Sequence, residues 1–194
     1  MTKGVADLFW LVGMIGWYVI RYPYQRKARK ADVSRSFVDW RERIVLVGLS
    51  LGLFAVPVLI VAAGHPKSLD RPFIPTLGWL GLIFDCAALW LFYRSHVDLG
   101  RNWSVTLKVR TSHTLVKTGV YRYVRHPMYS SFLLLALAQA MLLSNWLADA
   151  AGLLAVGLLF AGRMLREEHM MLDLFGEDYR SYMSGTRRIV PWLL

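Results

Sequence analysis

Cysteine is almost missing from this chain. Cys86 is the only one in 194 residues, so no intramolecular disulfide can form and no CxxC pair exists for metal or redox chemistry. Charge is scarce as well, at 19% of residues. No two glycines stand at GxG spacing, and neither a P-loop nor HExxH occurs, which argues against a Rossmann or Walker nucleotide site and against a zinc-protease helix. The five histidines, His65, His96, His113, His126 and His169, show no paired ligand spacing, so no metal is expected. Acidic residues are also short, 13 against 23 Lys and Arg, for a net charge of +10. Such an excess suits nucleic acid, but the bases cluster between apolar runs, as in cytoplasmic membrane loops. No nucleic-acid partner is expected.

Apolar residues are what the chain has in plenty: 56% of the total, with a mean hydropathy of +0.38. They come in long runs, including residues 44–63 without one charge. Five runs, 4–20, 44–63, 77–93, 127–143 and 146–162, are each near the ~20 residues that a helix rising about 1.5 Å per residue needs to cross a bilayer core. The expected fold is therefore all-α: a single membrane domain over 1–194 with about five transmembrane helices and the lipid bilayer as its surroundings. The first run keeps Trp17 and Tyr18 where a cleaved signal peptide would carry small residues, so it reads as a retained span. In the second, Gly48 and Gly52 form a small-xxx-small pair, a weak and common signal for close helix approach. Only Ser144 and Asn145 separate the last two runs, which predicts a tight helical hairpin.

Charge placement sets the expected orientation. Residues 21–43 carry eight bases, and residues 94–126 carry seven against the single acid Asp98, whereas 64–75 hold only Lys67 and Arg71. By the positive-inside rule the first two segments and the C-terminus are cytoplasmic and the N-terminus is outside. The tail, 163–194, mixes five bases with five acids and reads as an amphipathic helix followed by a turn at Ser184 and Gly185. Residues 94–126 and the tail flank the final hairpin and so must lie near each other. Endoplasmic reticulum and plasma membrane fit this pattern equally.

Two polar blocks carry chemistry. In YRYVRHPMY, 121–129, Pro127 falls at the first helical position and His126 near the N-cap, so the N–H groups of Met128 and Tyr129 are expected to face the loop as an anion site. The bland alternative is an interfacial belt of aromatics and bases. In RMLREEHMMLDLFGEDYRSY, 163–182, Arg163 and Glu167 share a helix face at i, i+4 while Glu168 starts the neighbouring one. They are either a helix ion pair or a binding pair at the membrane edge. Asp85, in the third run, must be paired, protonated or directed at a cavity, and a structural partner is the favoured reading. Met164, Met170 and Met171 read as gap-filling core.

The second half of the chain resembles the isoprenylcysteine carboxyl methyltransferase family and related membrane methyltransferases. The resemblance rests on LGRNWS at 99–104, HTLVKTGVY at 113–121, RHPMY at 125–129 and REEHMMLDLFGEDYRSY at 166–182, followed by Arg187, Arg188 and Pro191, all in the family's order and spacing. It implies S-adenosyl-L-methionine as methyl donor, held over about 99–194 by the loop before the last hairpin and by the tail. The implied cofactor contacts are His113, Thr114, Leu115 and Val116, then Tyr121, His126, Pro127, Met128 and Tyr129, and lastly Glu167. Arg163 falls where the family engages the methyl acceptor. Thr106 departs from the eukaryotic pattern, which has a cofactor-touching glutamine there.

The activity so implied is methylation of the carboxylate of a lipid-modified acceptor, most simply a C-terminal isoprenylcysteine. A phospholipid or other lipid amine or thiol methyltransferase is the alternative, and a membrane scaffold without enzymatic activity is the reading from another class. Carboxylate methylation needs no general base, because the oxygen is already an anion. Positioning and desolvation carry such a reaction.

Overall fold

The computed structural model describes residues 1–30, 33–36, 39–64, 66–106, 108–110 and 114–191. His65 and His113 lie outside the described residues. The chain runs α1 (Lys3–Arg29), β1 (Val33–Ser36), α2 (Trp40–Ala63), α3 (Pro75–Leu99), β2 (Lys108–Arg110), α4 (Pro127–Leu143), α5 (Trp146–Phe175) and α6 (Glu177–Gly185). The all-α expectation holds apart from one short antiparallel pairing of β1 with β2, which ties together the two segments read as cytoplasmic loops. Among the described residues four helices, α1, α2, α3 and α5, are long and apolar enough to cross a membrane. The fifth expected span, α4, forms over its expected bounds but has 17 residues, short of ~20.

The exterior is apolar. Leu8, Ile15, Val19, Ile83, Trp90 and Leu154 are all more than half exposed, on helices whose middles carry little charge. This is the surface that a multi-pass membrane protein presents to lipid. Inside, one apolar cluster joins Val45, Leu49 and Leu53 of α2 to Phe92 of α3, Phe132 of α4 and Leu159 of α5; another joins Ala6 and Trp10 of α1 to Ile60, Leu142 and Ala148.

Helix boundaries are where the structure departs most from the apolar runs. Helix α1 continues to Arg29 through Pro23, and α3 continues to Leu99, so polar stretches assigned to loops are helical extensions of the spans. Backbone hydrogen bonding does not stop where hydropathy does. The tail helix bends at Gly176 and resumes as α6, so it is two helices instead of one.

The Gly52 expectation is met directly. A Cβ there would lie 2.2 Å from the Ala151 carbonyl oxygen and 2.5 Å from the Ala155 Cβ, so the backbone of α2 lies directly against the backbone of α5. The α4–α5 hairpin turns on Ser144, which adopts the left-handed conformation, and on Asn145, whose side chain accepts from the Leu147 and Ala148 N–H groups as an N-cap. The α2–α3 connection is fastened onto this turn: Arg71 pairs with Asp149 at 3.0 Å and Asn145 donates to Asp70 at 2.8 Å.

Both α2 and α5 contain a π-turn, at Leu51–Ala55 and Phe160–Met164. The second contains Arg163 and lies where α5 leaves the bundle. Such one-residue insertions into a helix concentrate at functional sites.

Candidate functional site

One cavity, with about 1130 Å³ of empty space including its mouth, opens where α4 begins and α5 emerges. Every described residue of the sequence-derived set lines it: Thr114, Leu115, Val116, Tyr121, His126, Pro127, Met128, Tyr129, Arg163 and Glu167. Thr106, the departure from the eukaryotic pattern, lines it too.

The loop before α4 is held by side chains of α3 and its extension. Asn102 clasps Thr114 with two hydrogen bonds, its amide donating to the hydroxyl at 3.0 Å and its carbonyl accepting from the backbone N–H at 3.1 Å. Asp98 accepts from the Val120 N–H at 2.8 Å. Gly119 makes that approach possible, because it has φ 61° and a Cβ on it would lie 2.1 Å from the Asp98 carboxylate. Tyr121 is then buried, donating weakly to the Ser95 carbonyl at 3.4 Å while its own carbonyl accepts from Tyr182. Burial, and secondarily the Glu167 carboxylate, push the Tyr121 phenol well above the usual tyrosine range, so it stays protonated.

At the start of α4, Pro127 occupies the first helical position and His126 the N-cap position, as expected, without a side-chain cap hydrogen bond. The anion site expected from two free N–H groups is not formed by both. The Tyr129 N–H is already bonded to the His126 carbonyl at 2.9 Å, because the first turn closes tightly after the proline. The His126 ring stacks on Tyr129, centroids 5.0 Å apart and 9° from parallel.

Arg163 and Glu167 do not pair with each other. The π-turn and burial give each a different partner: Arg163 lies 3.5 Å from Glu42 of α2 and donates to the Val105 carbonyl at 3.0 Å, while Glu167 accepts from the Tyr129 hydroxyl. Among the described residues Glu167 has no cation within ion-pair distance, and the buried Arg163 Nε has no hydrogen-bond partner. Met164 packs against the main apolar cluster, and Met170 and Met171 pack with Leu174, as expected of core filler, while the latter two methionines also line the cavity.

The tail closes the site. Backbone N–H groups of Arg125 and His126 donate to the Arg187 and Arg188 carbonyls at 2.7 and 2.9 Å. Ser130 reaches the Ile189 carbonyl. Glu168, buried behind this seam, pairs with Arg125 at 2.9 Å and Arg188 at 3.0 Å and lies 3.4 Å from the His126 ring. Sequence reasoning noticed Glu168 but gave it no role, and it did not single out Glu42, Asp98 or Asn102. A lone polar residue near a span end carries no mark of its tertiary partner.

Among the described residues no group of three or more His, Cys, Asp and Glu converges as a metal site. The fold and the cavity together define a multi-pass helical membrane protein with a polar site at one end of the bundle. Residues 79–173 match the model of the isoprenylcysteine carboxyl methyltransferase family. Over that segment, just under half of its length, the chain is similar to this family. Relatives include the protein-S-isoprenylcysteine O-methyltransferase of Schizosaccharomyces pombe, 35% identical over 110 residues (56% of this chain, 47% of that one). Protein-S-isoprenylcysteine O-methyltransferase B of Arabidopsis thaliana is 33% identical over 99 residues, half of each chain. The chain thus spans about half the length of these relatives. The fold is that of the eukaryotic intramembrane Ras methyltransferase ICMT, with a TM-score of 0.54 and 24% identity over 81% of this chain and 55% of that one.

Proposed function

We propose that this protein transfers a methyl group from S-adenosylmethionine to the carboxylate of a lipid-modified acceptor, with a C-terminal isoprenylcysteine as the acceptor class. The observation that carries the reading is a carboxylate with no cation within ion-pair distance among the described residues, Glu167, and a buried guanidinium with an unspent donor, Arg163, on the walls of one cavity.

S-adenosylmethionine supplies an electrophilic methyl group on a positively charged sulfur. Glu167 suits its ammonium, and the faces of Tyr121 and Tyr129 suit a cationic centre. Backbone groups of Leu115 and Val116, held by the Asn102 clasp, suit the adenine edge. Met128 offers its N–H at the helix start. Arg163 fixes the acceptor carboxylate by charge-assisted hydrogen bonds, so the oxygen is aimed while the buried surroundings strip its water. Tyr121, held protonated, removes no proton, and an oxygen nucleophile that is already an anion asks for none. A lipid chain on the acceptor remains among the apolar helices while its carboxylate reaches the polar end, which we place on the cytoplasmic side.

The test is methyl transfer with labelled donor to a short S-prenylcysteine, its carboxamide and an aminophospholipid, alongside calorimetric titration of the donor. Transfer to the prenylcysteine alone is expected. Transfer to the aminophospholipid alone overturns carboxylate methylation, and absence of donor binding overturns the enzyme reading.

A further inference from the structure

Three guanidiniums line the cavity, those of Arg21, Arg125 and Arg163. Arg125 has Glu168 at 2.9 Å and Arg163 has Glu42 at 3.5 Å. Arg21 has no carboxylate: among the described residues it makes neither an ion pair nor a hydrogen bond. Its guanidinium lies instead against two indoles, 4.9 Å from the Trp17 ring centre and 5.7 Å from that of Trp103.

An arginine at the end of a membrane span ordinarily extends its head outward to water. Arg21 turns inward, toward Trp103, which is only 2% exposed. Cation–π contact with the indole faces holds the plane of the guanidinium but uses none of its five N–H donors. Arg163 lines the same cavity. Two cations on the walls of one partly desolvated site, one with no hydrogen bond made among the described residues and the other with its Nε unspent, form a receptor for an anion. The planar, doubly acidic edge of a guanidinium matches a carboxylate.

We infer that Arg21 is a carboxylate-binding residue of this cavity, acting beside the open edge of Arg163. The inference rests on the methyltransferase reading and deepens it. A carboxylate reaches this cavity from two sources, the acceptor and the amino-acid end of the methyl donor. Since the Tyr129 N–H is taken by His126, the donor's carboxylate lacks half of the site first expected for it.

The experiment measures equilibrium binding to the full chain in nanodiscs in two arms. One compares a short S-prenylcysteine with its carboxamide; the other compares S-adenosylhomocysteine with its decarboxylated analogue. The variants are Arg21→Gln and Arg21→Lys, with Arg26→Gln, an exposed arginine five residues along and outside the cavity, as the charge control. Wild type is expected to prefer the carboxylate form in at least one arm, and Arg21→Gln to cut that preference on the order of ten- to a hundredfold, as for loss of a charge-assisted contact. Arg21→Lys, which keeps the charge and loses the fork, should retain part of it and decides the question if the glutamine variant does not fold. The arm in which the preference collapses names the source. Unchanged preference in both arms overturns the inference, as does equal weakening of acid and neutral ligands, which is the mark of a packing role. Wild type binding neither ligand class removes the methyltransferase reading itself, and the inference with it.

Discussion

The carboxylate of Glu168 lies 2.9 Å from the Arg125 Nε, with both side chains less than a tenth exposed. Arg125 also donates to the Met183 and Thr186 carbonyls, so this one pair joins the segment before α4, helix α5 and the tail. Removing one partner of a buried ion pair leaves the other uncompensated, at a cost of about 3–5 kcal/mol. Glu168→Gln should therefore lower the melting temperature in detergent and expose the tail after Gly185 to protease. A tail as resistant as in wild type would show that the backbone seam alone holds it.

Glu167 has a different task, and its substitution should read differently. Among the described residues its hydrogen-bond partner is the Tyr129 hydroxyl, so its charge is available to a cationic ligand. Glu167→Gln should weaken donor binding by about 1.5–3 kcal/mol with little change in thermal stability. An unchanged dissociation constant in the folded variant would remove Glu167 from the cofactor site.

Arg163→Lys separates acceptor from donor. Lysine keeps the charge near Glu42 but loses the planar fork, so donor affinity should stay nearly intact while turnover falls, since a misplacement of about 1 Å can cost on the order of a hundredfold. Turnover and donor affinity measured side by side decide it. Wild-type turnover in this variant sinks the acceptor role.

Gly52→Ala tests the α2–α5 contact. The added methyl meets the Ala151 backbone, which cannot rotate away, and overpacking of this kind costs about 1–3 kcal/mol. Gly157→Ala is the control, since nothing lies within 4 Å of its Cβ position. Equal melting temperatures for the two would contradict the close packing.

Orientation is tested by single cysteines at Lys30, Thr118 and Lys67 in a chain with Cys86 replaced. Impermeant reagent added from outside should modify the Lys67 position and spare the other two. Labelling at position 30 or 118 would reverse the proposed topology.

Much of this was legible in the sequence because hydropathy and helix-start chemistry are local. The α4 bounds, the proline-led start at Pro127 and the Ser144–Asn145 turn follow from residues a few positions apart. The described residues implied by the family resemblance all reach one cavity. What stayed hidden depends on residues far apart in the chain. Glu42 meets Arg163 across 121 positions, and Arg71 meets Asp149 across 78, so no window around either could reveal the pair. The π-turn at Arg163 was invisible for a related reason: an i, i+4 spacing assumes an unbroken α-helix, and the ion pair that this spacing allowed for Arg163 and Glu167 does not form where that assumption fails.

A π-turn takes one more residue than an α-turn for nearly the same rotation about the axis, so removing one residue from Phe160–Met164 would restore a regular helix and leave the rest of α5 nearly in phase. Glu167 would keep facing Tyr129 and Glu168 would keep facing Arg125, while the segment that carries Arg163 would lose its widened backbone. The exit of α5 thus keeps its irregular backbone at the arginine of the cavity and leaves the tail's anchor on regular helix.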